Sequence, residues 1–144
     1  MDTTLRPPRL RQVVLDCTDP RALAEFYRHL LGLHYRPGDQ PPPAGEPDTN
    51  GQDWLVLRDD TNTPRLAFQH VADQPAATWP HGPHPQMLHL DLTVPTAEDL
   101  LAHHTRALDL GATLLHDRFD DPEEPLRVYA DPAGHPFCVF VATT

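Results

Sequence analysis

The chain runs through one plan twice: a short apolar strand, an amphipathic helix that stops at a glycine, then further strands closing in a hairpin. The first copy begins at Gln12-Val13-Val14-Leu15-Asp16 and ends near Val71, and the second begins at His89-Leu90-Asp91-Leu92-Thr93-Val94 and ends near Val141. A unit this short cannot bury its apolar face alone, and here each copy has only the other to pack against. Aligning the copies makes Gln12 and His89 equivalent. That one difference is the first functional clue.

Local signals support the repeat. Asp19-Pro20 reads as an N-cap followed by proline in the first turn. Leu23, Phe26, Tyr27, Leu30 and Leu31 then recur at helical spacing, and Gly32 ends the helix. Leu33 to Arg36 opens a second strand, and residues 37–52 form a polar, proline-rich loop. Trp54-Leu55-Val56-Leu57 and Arg65-Leu66-Ala67-Phe68-Gln69 flank a turn-rich segment as a hairpin. In the second copy Met87 to Val94 reads as a strand, and Thr96 to Asp99 resembles a capping box with Asp in the fourth place. A helix ending at Gly111 follows, then a strand from Ala112 to His116 and an acidic loop from Asp117 to Pro125. The last hairpin turns through Asp131-Pro132-Ala133-Gly134. Each half is therefore β-α-β-β-β. The expected layout is a tail over 1–9, a first module over 10–71, a proline-rich linker over 72–86 and a second module over 87–142, together one compact domain.

Composition narrows the chemistry. With 21 acidic and 11 basic side chains the formal charge is −10, which disfavours nucleic acid and anionic membrane as partners. Every basic residue is Arg, and there is no Lys or Ser. Schiff-base chemistry, a phosphate-loop Lys and a Ser-His-Asp hydrolase are thereby excluded. Cys17 and Cys138 are too few for a disulfide framework. No apolar run approaches the roughly 18 residues of a membrane span, and Met1 to Arg9 lacks the apolar stretch of a secretory signal. The expectation is a cytoplasmic protein.

The phrases Asp19-Pro20 to Phe26-Tyr27 to Leu31-Gly32-Leu33, His89-Leu90-Asp91-Leu92, Leu110-Gly111-Ala112 and Asp131-Pro132-Ala133-Gly134-His135-Pro136-Phe137-Cys138 resemble the vicinal oxygen chelate superfamily. Its members include glyoxalase I, extradiol dioxygenases, fosfomycin-resistance and bleomycin-binding proteins. The chain is most similar to glyoxalase-like domains of actinobacterial type. The resemblance implies an α+β fold in which two βαβββ modules form mixed sheets curved around a central cleft, with the helices outside. It also implies a small-molecule ligand and, by analogy, a homodimer. Metal-dependent members draw ligands from the first and last strand of each module. Matched position by position, this chain offers Gln12, Ala67 (or Gln69 with a two-residue shift), His89 and Cys138. Only His89 is a conventional ligand, and a neutral amide is a poor one. The expectation is a cleft without a cofactor. The alternative is a divalent metal such as zinc, iron, nickel or manganese held by His89 and Cys138.

The candidate site residues are Gln12, Trp54, Gln69, His89, Asp91 and Cys138, with His89 and Asp91 as the catalytic pair. Two apart on one strand, His89 and Asp91 face the same side. They form either a general base oriented by a carboxylate or simply a polar inner face. Cys138 is either a cleft thiol or a small core residue, and buried cysteine more often packs as a hydrophobe. Trp54 divides between core and pocket, while Trp79 in the linker suits a cleft cover or a dimer contact. His81 and His84, flanked by prolines, read as solvated linker.

Overall fold

The computed structural model describes residues 5–142. In chain order the elements are β1 (Val13–Cys17), α1 (Pro20–Leu31), β2 (His34–Tyr35), β3 (Trp54–Arg58), β4 (Pro64–His70), β5 (Leu90–Val94), α2 (Ala97–Leu110), β6 (Thr113–Arg118), β7 (Leu126–Ala130) and β8 (Pro136–Val141), with one 3₁₀ turn at Asn50–Gln52. They make two four-stranded mixed sheets, ordered β1-β4-β3-β2 and β5-β8-β7-β6. In each sheet the first and last strands of a module pair in parallel, and the other pairs are antiparallel.

The registers make the repeat quantitative. Val14 pairs with Ala67 and Ala67 with Val56 in the first sheet, as Asp91 pairs with Cys138 and Cys138 with Val128 in the second. The two rows are structurally equivalent, so an apolar row in one half corresponds to a row that begins Asp-Cys in the other.

Both helices begin and end as their sequences dictate. Asp19 accepts from the Ala22 N–H at 3.1 Å, and Gly32 closes α1 at φ 68°, a conformation that costs glycine little. Thr96 Oγ1 accepts from the Asp99 N–H at 3.1 Å and donates to the Asp99 carboxylate at 2.8 Å. Asp, one methylene shorter than Glu, thus closes the box on the hydroxyl.

Helix α1 fastens the two sheets into one core. The Phe26 ring lies 5.9 Å from Phe137 of the second sheet, while Tyr27 stacks on Phe68 of the first sheet at 6.0 Å. Tyr27 also donates to Asp131 in the β7–β8 turn at 2.7 Å. That carboxylate is buried and accepts further from the N–H groups of Ala133 (2.8 Å) and His135 (3.0 Å). A buried carboxylate is tolerated because hydrogen bonds replace the water it loses.

Some boundaries differ from the sequence reading. β2 is reduced to His34–Tyr35, and β6 runs on to Arg118. β5 starts at Leu90 instead of Met87, so His89 stands immediately before it. Pairing with β8 opens at Leu90 and Phe137, because the preceding β8 residue, Pro136, has no N–H to donate. Met87 and Leu88, left without a strand partner, are 100% and 58% exposed.

Candidate functional site

His89 and Asp91 meet as their spacing requires: Nε2 lies 3.0 Å from a carboxylate oxygen of Asp91. Parallel pairing with β8 brings Cys138 beside Asp91. The imidazole nitrogen, a carboxylate oxygen and the Cys138 sulfur lie within 4.8 Å of one another. Cys138 is half-buried. Burial, together with the adjacent Asp91 carboxylate, raises its thiol above the ordinary value, so in this setting the sulfur keeps its proton. The His89 and Asp91 side chains are 40% and 58% exposed. Water reaches both, and their mutual attraction is correspondingly screened.

The other sequence candidates lie on the first sheet. Gln69 and Trp54 are register partners on β4 and β3, and Asp16 on β1 continues that row. Gln69 is exposed and Trp54 half-buried. Gln12 precedes β1, and its Oε1 is buried with no hydrogen-bond partner among the described residues. Ala67 is fully buried and brings no donor. Trp79 sits with its ring 6.0 Å from that of His116, edge to face. His116 pairs with Val128, which pairs with Cys138, so the linker indole stands at the far end of the Asp91–Cys138 row. Cys17 is a core residue, and burial pushes its thiol up to about 12. His104 Nδ1 lies 2.7 Å from the Tyr129 hydroxyl.

The donor set fits a divalent ion in an altered form. Donors from both modules are not reproduced, since Val14 and Ala67 occupy the places equivalent to Asp91 and Cys138. The second module alone supplies one nitrogen, one oxygen and one sulfur, a chemically sufficient trio for an open site. Asp91 is the member that sequence matching left out of the metal set. Its place became apparent only through the β5–β8 register.

A second feature was not legible in the chain. A cavity of about 610 Å³ lies between β1, the linker and the start of β8, with Val14, Asp16, Gln86, Leu88, His135 and Pro136 in its wall. The linker is pressed onto the β7–β8 turn: the Ala77 N–H donates to the Gly134 carbonyl at 3.3 Å. A Cβ on Gly134 would lie 2.5 Å from that of Ala76, and φ there is +93°. In the wall, His135 Nδ1 lies 2.9 Å from Asp131. Burial lowers the His135 pKa, but hydrogen bonding and charge from Asp131, with Asp16 adding to both, outweigh it and leave a net rise. The clue available in sequence was the Asp131–His135 spacing, which read only as a turn.

Among the described residues no helix is long and apolar enough to cross a membrane. No curated protein sequence matches the chain. Solved structures with the same architecture include a glyoxalase/dioxygenase from Nostoc punctiforme (17% identity, 98% of this chain and 97% of that one, TM-score 0.64). A lactoylglutathione lyase from Agrobacterium tumefaciens is also similar (17%, 95% and 96%, TM-score 0.57). So is a fosfomycin resistance protein from Listeria monocytogenes complexed with Mn(II) and sulfate (12%, 96% and 95%, TM-score 0.62). At these identities the likeness is one of fold. A family model described as glyoxalase-like domain matches residues 12–140, nearly the whole chain, and the protein belongs to that family.

Proposed function

We propose that the protein binds a small organic molecule against the face that carries His89, Asp91 and Cys138, and that the His89–Asp91 pair exchanges a proton with it. The observation that carries this reading is the 3.0 Å contact between His89 Nε2 and Asp91. A carboxylate on one imidazole nitrogen leaves the other free to face a ligand, which is the arrangement of an oriented general base. Because both side chains are exposed, the bound molecule itself must exclude water from them. Sequestration and an isomerase or lyase step both use this geometry.

The donor trio favours a second reading, a metal-dependent lyase or dioxygenase. His89, Asp91 and Cys138 would hold the ion, and a bound divalent metal would polarise a ligand oxygen. Binding would have to displace the Cys138 proton, so occupancy would rise with pH. One experiment separates the readings. Protein purified without chelator is analysed for metal, then screened by thermal shift against aromatic and thiol-conjugated small molecules with and without EDTA. The proton-exchange reading expects hits that survive EDTA and lose at least tenfold in affinity in His89→Ala. Stoichiometric zinc, iron, nickel or manganese that disappears in His89→Ala would decide for the metal reading.

A further inference from the structure

The cavity between the two halves has a definite electrostatic character. Its wall is chiefly apolar, with Val14, Leu88 and Pro136 among its members, and contains neither Arg nor Lys. Asp16 is its one carboxylate, and the Asp16 side chain stands on the exposed face of β1. Of its two histidines, His84 is exposed in the linker, and His135 brings no net positive charge, because Asp131 stands directly behind it at 2.9 Å. The whole chain, at −10, adds potential of the same sign. Gln86 in the wall has a side-chain oxygen that is closed to water and accepts no hydrogen bond among the described residues, so a donor on a ligand meets it once the amide turns into the cavity. An orphaned acceptor costs the protein free energy that a donor on a ligand would recover.

We infer that this cavity takes the apolar body of a small molecule bearing a cationic or N–H/O–H donor group, with Gln86 and Asp16 as its acceptors, and that it rejects anions of the same shape. The inference rests on the small-molecule reading above and adds where the body of the ligand lies and what charge it carries. Leu88 in the wall immediately precedes His89, so the cavity adjoins the chain segment that carries the imidazole. Apolar lining supplies affinity through area removed from water, while the two acceptors select the head group.

Three probes that share one ring system test this on the full chain: 2-naphthylmethylammonium, 2-naphthylmethanol and 2-naphthoate, titrated by calorimetry at pH 7. The expected order is ammonium, then alcohol, then carboxylate, with at least a tenfold span between the extremes. Gln86→Leu should weaken the ammonium and the alcohol about fivefold each, as one hydrogen bond of ordinary net strength requires. Asp16→Asn, a near-isosteric change at an exposed side chain, should weaken the ammonium alone and bring it level with the alcohol. Tightest binding of the carboxylate, absence of binding by all three, or indifference to both substitutions would overturn the inference. His89→Ala distinguishes it from the proton-exchange reading. Unchanged affinities with the same charge order in that variant uphold the cavity and remove His89 as a binding group. A carboxylate-first order whose affinities fall in His89→Ala sinks the cavity assignment and leaves the His89 reading standing.

Discussion

At the scale of single residues, Asp131 shows how much one buried carboxylate organises. It receives the Tyr27 hydroxyl from α1, two N–H groups from its own turn and the His135 ring. Removing one donor differs sharply from removing the common acceptor. Tyr27→Phe leaves the carboxylate its other partners and should cost about 1 kcal/mol in urea denaturation. Asp131→Ala strands a buried hydroxyl and two turn N–H groups, and should cost about 3 kcal/mol. Equal costs for the two variants would mean that the carboxylate matters only through Tyr27. The residue scale is also where sequence reading stopped short. Asp131 was visible as a turn former, but its partner Tyr27 lies 104 positions away.

At the scale of elements, the caps were legible and the long loop was not. Asp19, Gly32, Thr96 and Gly111 act within one turn of their own helix, so the local chain states their role. The loop over residues 37–53 carries no motif, yet it is held firmly. Arg21 of α1 reaches Asp48 with two nitrogens at 2.8 and 2.9 Å and the Asp39 carbonyl at 2.6 Å. Asp39, itself buried, accepts from the Val56 N–H of β3 at 2.9 Å. The planar guanidinium is the part of this lock that Lys could not replace. Arg21→Ala should therefore speed amide exchange at Gly51, whose N–H bonds Asp48, while amides in the centre of α1 stay protected. Uniform acceleration across α1 would mean that the arginine supports the helix and not the loop. Register was likewise hidden. That Asp91 stands beside Cys138 follows from a parallel pairing, which no local pattern encodes.

At the scale of the molecule, the junction between modules should respond to pH. His135 joins the β7–β8 turn, where Asp131 receives Tyr27 of the other module, and faces Asp16 of β1. Its pKa in the folded state lies above the ordinary value, so its contribution is complete below about pH 6.5 and is lost as pH rises through the folded value. Glu25 and Asp48 act in the opposite sense. Hydrogen bonds from Arg28 and Arg21, respectively, hold them below the usual carboxylate range, and their contribution disappears as pH falls through the depressed values. Urea midpoints measured from pH 3 to 8 should thus fall on both sides of a maximum, and His135→Gln should flatten the alkaline side only. A steeper alkaline decline in that variant would contradict the assignment. The paired modules, two sheets and outer helices were legible because the repeat spans nearly the whole chain. The cavity was not, since its wall combines β1, the linker and the start of β8, segments that only tertiary packing assembles.

The linker packed onto Gly134 lends one side of that cavity its side chains. On the proposed reading, part of the ligand preference is therefore written outside the stretches that build the two sheets, with Asp16 of β1 supplying the rest. Exchanging residues 78–88, while keeping Ala76 and Ala77 against Gly134, would re-tailor the linker side of the wall and leave both pleated layers intact. Diversification in such a lineage has an inexpensive route that never touches the hydrophobic interior.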